Sequence, residues 1–125
     1  MNKIILILLS YTFLFFNTNL LSQEKLNHLK IGLLAPFSGK YKELGNSLLL
    51  STQLALNEIN DQNIIIVPKD SGSDNPKILI KSVSELKEKN IKVVIGPVLA
   101  NDFEEVSKFK NMIFISPSNI SSEIK

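Results

Sequence analysis

The chain has no cysteine, a single histidine, and only five glycines and five prolines among its 125 residues. The missing cysteine excludes disulfides, thiolate metal sites, a cysteine nucleophile and a lipid-modified N-terminal cysteine together. The one histidine, His28, precedes the first predicted strand, and no His/Asp/Glu cluster has metal-ligand spacing. No serine stands in a Gly-x-Ser-x-Gly elbow. Neither Gly-x-Gly-x-x-Gly nor Gly-Lys-Ser/Thr follows a strand, so nucleotide binding is poorly supported. Asp70 and Asp74 lie near a strand end, where a lone Asp is more often a turn or cap residue than a general base. The net charge is +2, and lysines alternate with glutamates instead of forming a basic stripe with aromatics. These absences exclude a nucleic-acid partner, argue against an enzyme, and call for no cofactor or metal.

What is present begins with an apolar run, Ile4 to Phe16, behind the positive Lys3. The run is shorter than the roughly 20 residues a spanning helix needs, and Asn17-Thr18-Asn19 ends it. Residues 1–22 therefore read as a signal peptide cleaved near Ser22, with no stable membrane span expected. Leu20 is larger than signal peptidase prefers, which keeps an uncleaved N-terminal anchor as the alternative. Residues 23–125 suffice for one modest domain held by its core, in an exported, periplasmic protein.

Along that domain, strands and helices alternate. Leu29 to Ala35 is an apolar run closed by Pro36. From Glu43 to Asn60, Leu44, Leu48, Ala55 and Ile59 fall on one helical face, widened by Leu49 and Leu56, which predicts burial against a sheet. Gly45, Ser51 and Thr52 permit close approach near that face, while Leu50 and Leu54 lie opposite and want a cover of their own. Asn63 to Lys69 is a β-branched strand. Asn75 caps a helix with Pro76 at its first position, Leu79, Val83 and Leu86 form its buried stripe, and Lys81 can pair with Glu85. Ile91 to Ile95 is a third strand ending at Gly96-Pro97. Asn101 with Glu104 predicts a capping box for a short helix carrying Phe103, Val106 and Phe109, and Met112 to Ile115 is the fourth strand. Such alternation implies right-handed crossovers and an α/β fold, a parallel doubly wound sheet of order 2-1-3-4.

Ligands of such sheets bind beyond the carboxyl ends of the strands, at the switch point between strands 1 and 3. Ser38-Gly39, Gly96-Pro97 and Ser116-Pro117-Ser118 each follow one of three adjacent predicted strands there. Ser38 and Tyr41 can contact a small polar solute, or Ser38-Gly39 can simply form a turn. Gly96-Pro97 can be a strand stop and no more. Ser116, Ser118 and Asn119 form a hydroxyl- and amide-rich loop that can hold carboxylate or hydroxyl groups, though such a loop is common on surfaces.

Ile31-Gly32-Leu33-Leu34-Ala35-Pro36-Phe37-Ser38-Gly39, Leu54-Ala55-Leu56-Asn57-Glu58-Ile59-Asn60, Val93-Val94-Ile95-Gly96-Pro97 and Ile115-Ser116-Pro117-Ser118 stand in an order and spacing that resemble one known family. They look like the N-terminal lobe of type I periplasmic binding proteins, the leucine/isoleucine/valine-binding-like receptors of ABC transporters. Gly96 to Asp102 with Glu104-Glu105-Val106 is also similar to the related domain of penicillin-binding protein activators. Those are lipoproteins, and this chain has no cysteine to carry a lipid.

The resemblance implies two lobes closing over a small polar solute, with ABC-transporter membrane subunits as partners. Residues 23–125 correspond to part of the first lobe, so a second lobe would come from elsewhere. The hydroxyl positions of amino-acid receptors are Ala100 and Ile120 here, which argues against an ordinary α-amino acid. The binding candidates are Ser38, Tyr41, Pro97, Leu99, Ser116, Ser118 and Asn119. An envelope regulator acting by protein–protein contact is the alternative function.

Overall fold

The computed structural model describes residues 28–118. The expected signal peptide and Asn119 lie outside the described residues. Four strands, β1 (Leu29–Ala35), β2 (Ile64–Asp70), β3 (Val93–Ile95) and β4 (Ile113–Ile115), form one sheet of order β2-β1-β3-β4. All pairings are parallel; Ile31 lies between Ile66 and Val93, and Val93 is level with Ile113. Three helices connect them: α1 (Lys42–Ile59), entered through a 3₁₀ turn at Gly39–Tyr41, α2 (Pro76–Glu88) and α3 (Ala100–Val106). The class and strand order are those the alternation implies.

The order also sets which face each helix covers. The β1→β2 crossover runs towards one sheet edge and β2→β3→β4 towards the other. Right-handedness therefore places α1 on one face and α2 and α3 on the other. On the α2/α3 face Leu34, Leu79, Val83, Leu86, Ile91, Val94, Val106 and Met112 form the core, with Phe103, Phe109 and Phe114 against it. The stripe read from the sequence of α2 is that core. Asn75 caps α2 by accepting from the Lys77 amide at 3.2 Å, behind Pro76 at the first turn.

Four local expectations are corrected. Glu85 pairs with Lys69 of β2, not with Lys81 one turn away, because the end of β2 brings that ammonium alongside. No side chain caps α3: Leu99 occupies the cap position in extended conformation, so Asn101 is already inside the helix. Strands β3 and β4 are shorter than the apolar runs that contain them. Ile91 packs into the core before pairing begins, its amide donating to the Leu86 carbonyl at 3.1 Å.

The fourth correction concerns α1. Its only buried residue is Gly45, and Leu44, Ala55 and Ile59 are exposed. The less exposed residues, Gly45, Leu49, Thr52 and Leu56, follow i, i+4, i+7, i+11 spacing and form the stripe nearer the sheet. Gly45 fixes this rotation, because a Cβ there would strike the Pro36 carbonyl oxygen. The stripe predicted to be buried instead faces sideways, over β3 and β4. Leu50 and Leu54 are 61% and 65% exposed.

Candidate functional site

At the carboxyl edge of the sheet the loops divide into two hydrogen-bonded groups. The first joins the ends of β1 and β2. Asp70, the last residue of β2, accepts from the Phe37 amide at 2.8 Å and the Gly72 amide at 2.9 Å. Burial pushes its carboxyl up, but bonds from Ser38, Gly72 and Phe37 hold it below the usual value. Ser73 donates to the Ser38 carbonyl at 2.6 Å and accepts from the Tyr41 amide at 3.1 Å. The Lys40 ammonium lies 5.1 Å from the centre of the Tyr41 ring. Ser38 and Tyr41 are thus engaged with the Asp70–Ser73 loop, and the turn alternative describes Gly39, at φ +73°.

The second group joins the ends of β3 and β4. Gly96 has φ +107°, and any Cβ there would enter the Leu34 carbonyl, so only glycine lets β3 pass β1 this closely. Its amide donates to the Ile115 carbonyl at 2.7 Å, and a cis peptide leads into the buried Pro97. Ser116 donates to the Pro97 carbonyl at 3.1 Å. Ser118 donates to the Val98 carbonyl at 2.7 Å, and the two hydroxyls stand 3.0 Å apart. These serines clasp the two loops. With their protons directed at carbonyls, the hydroxyls keep only acceptor capacity, and the Ser116 oxygen already accepts from the Ser118 amide at 3.4 Å.

Between this clasp and the first half of α1 lies an open cavity of about 500 Å³. Leu99 and Ser118 of the candidate set line it, with Leu44, Leu48, Val98 and Pro117 supplying most of the rest. The structure therefore gathers Pro97, Leu99, Ser116 and Ser118 together and leaves Ser38 and Tyr41 in the other group. Sequence reasoning missed the α1 contribution. Its signal was the Leu44–Leu48 spacing, assigned there to the sheet.

One buried charge was also missed. Asp102, in the first turn of α3, is only 5% exposed, and its Oδ2 has no hydrogen-bond partner. Burial pushes its carboxyl up to about 6, the Asp74 charge adds to this, and the Ser71 hydroxyl opposes it. Among the described residues no group of His, Asp and Glu could hold a metal ion, and no helix is long and apolar enough to cross a membrane.

Comparison with known proteins matches this arrangement to one family. The sequence profile described as periplasmic binding protein covers residues 28–125. A solute-binding protein of an ABC transporter from Rhodopseudomonas palustris, solved with benzoate, superposes with TM-score 0.58 at 27% identity, over 66% of this chain and 24% of its own. The branched-chain amino-acid binding protein LivJ of Streptococcus pneumoniae, solved with isoleucine, gives TM-score 0.59 at 26% identity, over 73% and 29%. LpoA of Haemophilus influenzae gives 0.60 at 20% identity, over 83% and 19%, a likeness of fold alone. This chain thus spans less than a third of the length of each. No curated protein shows a significant sequence match. The chain belongs to the periplasmic binding protein family.

Proposed function

We propose that this chain supplies one wall of an extracytoplasmic site for a small solute, as part of the substrate-binding component of an ABC-type uptake system. The observation that carries this reading is the cavity at the carboxyl ends of β3 and β4, bordered by Leu99 and Ser118 beside the β1/β3 switch point. Leu44, Leu48, Leu99 and Pro117 offer an apolar body site, and the Ser118 hydroxyl oxygen offers an acceptor to a polar donor. The candidate contacts are Pro97, Leu99, Ser116, Ser118 and Asn119, with Ser38 and Tyr41 further along the same edge. Relatives bind benzoate and isoleucine, so an acid or amino-acid-like solute heads the search. Binding, not catalysis, is the role.

One wall leaves a solute largely in water, whereas good pockets bury roughly 70–90% of a ligand. A second lobe is therefore part of the reading, as are export to the periplasm and cleavage near Ser22. Intact-mass measurement on envelope extract should find a chain starting near Gln23. A retained Met1 in the membrane fraction would indicate the anchor instead, and a full-length cytosolic chain would refute export altogether.

Thermal shift of the envelope-purified protein against amino acids, their amides, aromatic acids and short peptides tests solute binding. A ligand raises stability by RT ln(1 + [L]/Kd), so a saturable, concentration-dependent rise is expected. No shift with any solute, together with retention of a specific cell-wall synthase on the immobilised chain, would favour the regulator alternative. That alternative draws on the Gly96–Asp102 motif.

A further inference from the structure

We infer that the amino edge of the sheet, where β3 and β4 begin, docks onto the anionic surface of a phospholipid membrane. The inference goes beyond solute binding and does not depend on it. Its starting point is a second cavity, of about 420 Å³, where the end of α2 meets the loop between α3 and β4. Lys87, Lys108 and Lys110 border it, and Phe109 and Met112 supply its apolar lining. The lysines are exposed, whereas Phe109 is half-buried and Met112 is only 9% exposed, both packed on the core. The hollow thus has a base that does not move with the surface and a rim of ammonium groups.

The second observation is that this positive charge has no local use. The turn from α2 into β3 adds Lys89 and Lys92, so Lys87, Lys89, Lys92, Lys108 and Lys110 stand against Glu88 and Glu105. Among the described residues Lys108 alone of these lysines is in an ion pair, with Glu105 at 2.7 Å. Lysines at helix C-termini commonly bond the last carbonyls. Here those carbonyls are already taken. The Glu85, Leu86 and Lys87 carbonyls accept from the Lys89, Ile91 and Asn90 amides. At the end of α3 the Phe103 and Val106 carbonyls accept from the Ser107 and Phe109 amides, and the Glu104 carbonyl from the Ser107 hydroxyl. The ammonium groups are left to an outside anion.

Position selects a membrane as the source of that anion. The chain enters β1 at this same edge, arriving from the apolar run Ile4 to Phe16. Residues 17–27 lie between and span at most roughly 40 Å. A bilayer that holds the apolar run, as signal or as anchor, therefore has the lysine edge within reach. The cavity at the carboxyl ends of β3 and β4 lies at the far end of the strands. A second lobe closing there leaves the amino edge open, and strands added beyond β4 would widen the sheet without covering its end. Clusters of roughly four to eight lysines beside a membrane-inserted segment bind anionic headgroups, each lysine strengthening partition about fivefold. The phosphate suits the ammonium rim, and the glycerol and upper acyl chain suit Phe109 and Met112.

Two readouts on the envelope-purified full chain test this. In vesicle flotation the protein should bind phosphatidylglycerol-containing vesicles in about 50 mM NaCl and release in about 500 mM, as screening shortens the reach of the lysines. Lys87→Gln with Lys108→Gln and Lys110→Gln should lower the partition roughly a hundredfold, and arginine at the same positions should keep it. Lys42→Gln with Lys77→Gln and Lys81→Gln removes the same charge away from this edge and should change it far less; all six positions are exposed. The chain has no native cysteine, so a polarity-sensitive dye can be placed singly. On Asn111→Cys, beside the hollow, it should shift to shorter wavelength with the anionic vesicles and stay unchanged with phosphatidylcholine alone. On Asn101→Cys, at the carboxyl edge, it should not shift with either. The dye reports which edge meets lipid even in a protein held to vesicles by its N-terminal run. Equal shifts at both positions, no shift at Asn111→Cys, or a glutamine triple variant that binds as the parent does would overturn the proposal. Retention of a specific acidic envelope protein, with no dye response to lipid, would overturn it in favour of a protein partner.

Discussion

Replacing Asp102 with asparagine should stabilise this protein at neutral pH, although it removes a charged residue from the favourable end of a helix. The carboxyl titrates at about 6 against an ordinary value of 3.8. Because the folded value is raised, the group favours the fold only in its neutral form. Its contribution is fully present below pH 3.8 and is lost as the pH rises through 6. The full shift corresponds to about 3 kcal/mol between the two protonation states. An asparagine keeps the shape and drops the charge, but its amide protons need acceptors. The Asp74 carboxylate and the Ser71 hydroxyl oxygen, both of which act on the Asp102 carboxyl, are the candidates. Imperfect bonds there reduce the expected gain at pH 7.5 to about 1–2 kcal/mol, or a rise in Tm of roughly 4–12 °C for a domain of this size. Urea unfolding followed by circular dichroism from pH 4 to 8 measures both quantities. The difference between the two proteins should be constant above about pH 7, and the parent should gain stability relative to D102N as the pH falls from about 6 to 4. Parallel curves across that range, or a less stable D102N at pH 7.5, would refute the assignment of an uncompensated buried charge.

Three further outcomes are expected. Asp70→Asn should cost about 1–3 kcal/mol, since an amide oxygen accepts the Phe37 and Gly72 protons more weakly than a carboxylate. Because the carboxyl is held low, that difference should be present above pH 3.8 and fade as acid protonates the parent. Gly96→Ala places a Cβ in the Leu34 carbonyl at positive φ and should reduce soluble yield, or lower Tm by more than the Leu86→Ala core truncation, itself worth about 2–5 kcal/mol. Ser118→Ala removes the clasp to the Val98 carbonyl. Proteolysis should then cut the loop after β3 sooner, while the far-UV spectrum stays unchanged.

Which elements exist, and in what order they pair, was legible in the sequence because both depend on local pattern. The β-branched runs, the Asn75-Pro76 start and the Leu79, Val83, Leu86 spacing are properties of neighbouring residues. Right-handed crossovers then leave few topologies open. The clustering of polar loops at the carboxyl edge followed from the same order.

Only the tertiary structure decided how α1 is turned, which partner Glu85 takes, and where each candidate hydroxyl sends its proton. The helix offers two apolar stripes of similar strength. Contact between Gly45 and the Pro36 carbonyl, residues on separate elements, selects the one nearer the sheet. Likewise Ser116 and Ser118 read as ligand contacts when isolated from their surroundings, and become a clasp once the Pro97 and Val98 carbonyls stand beside them. The buried Asp102 was invisible for the same reason. Helical periodicity marks it as a polar first-turn residue, and only the packing of α3 against the loop after β2 closes water away from it. Local pattern is carried by neighbours along the chain, whereas orientation, partner and burial depend on atoms brought together from distant positions.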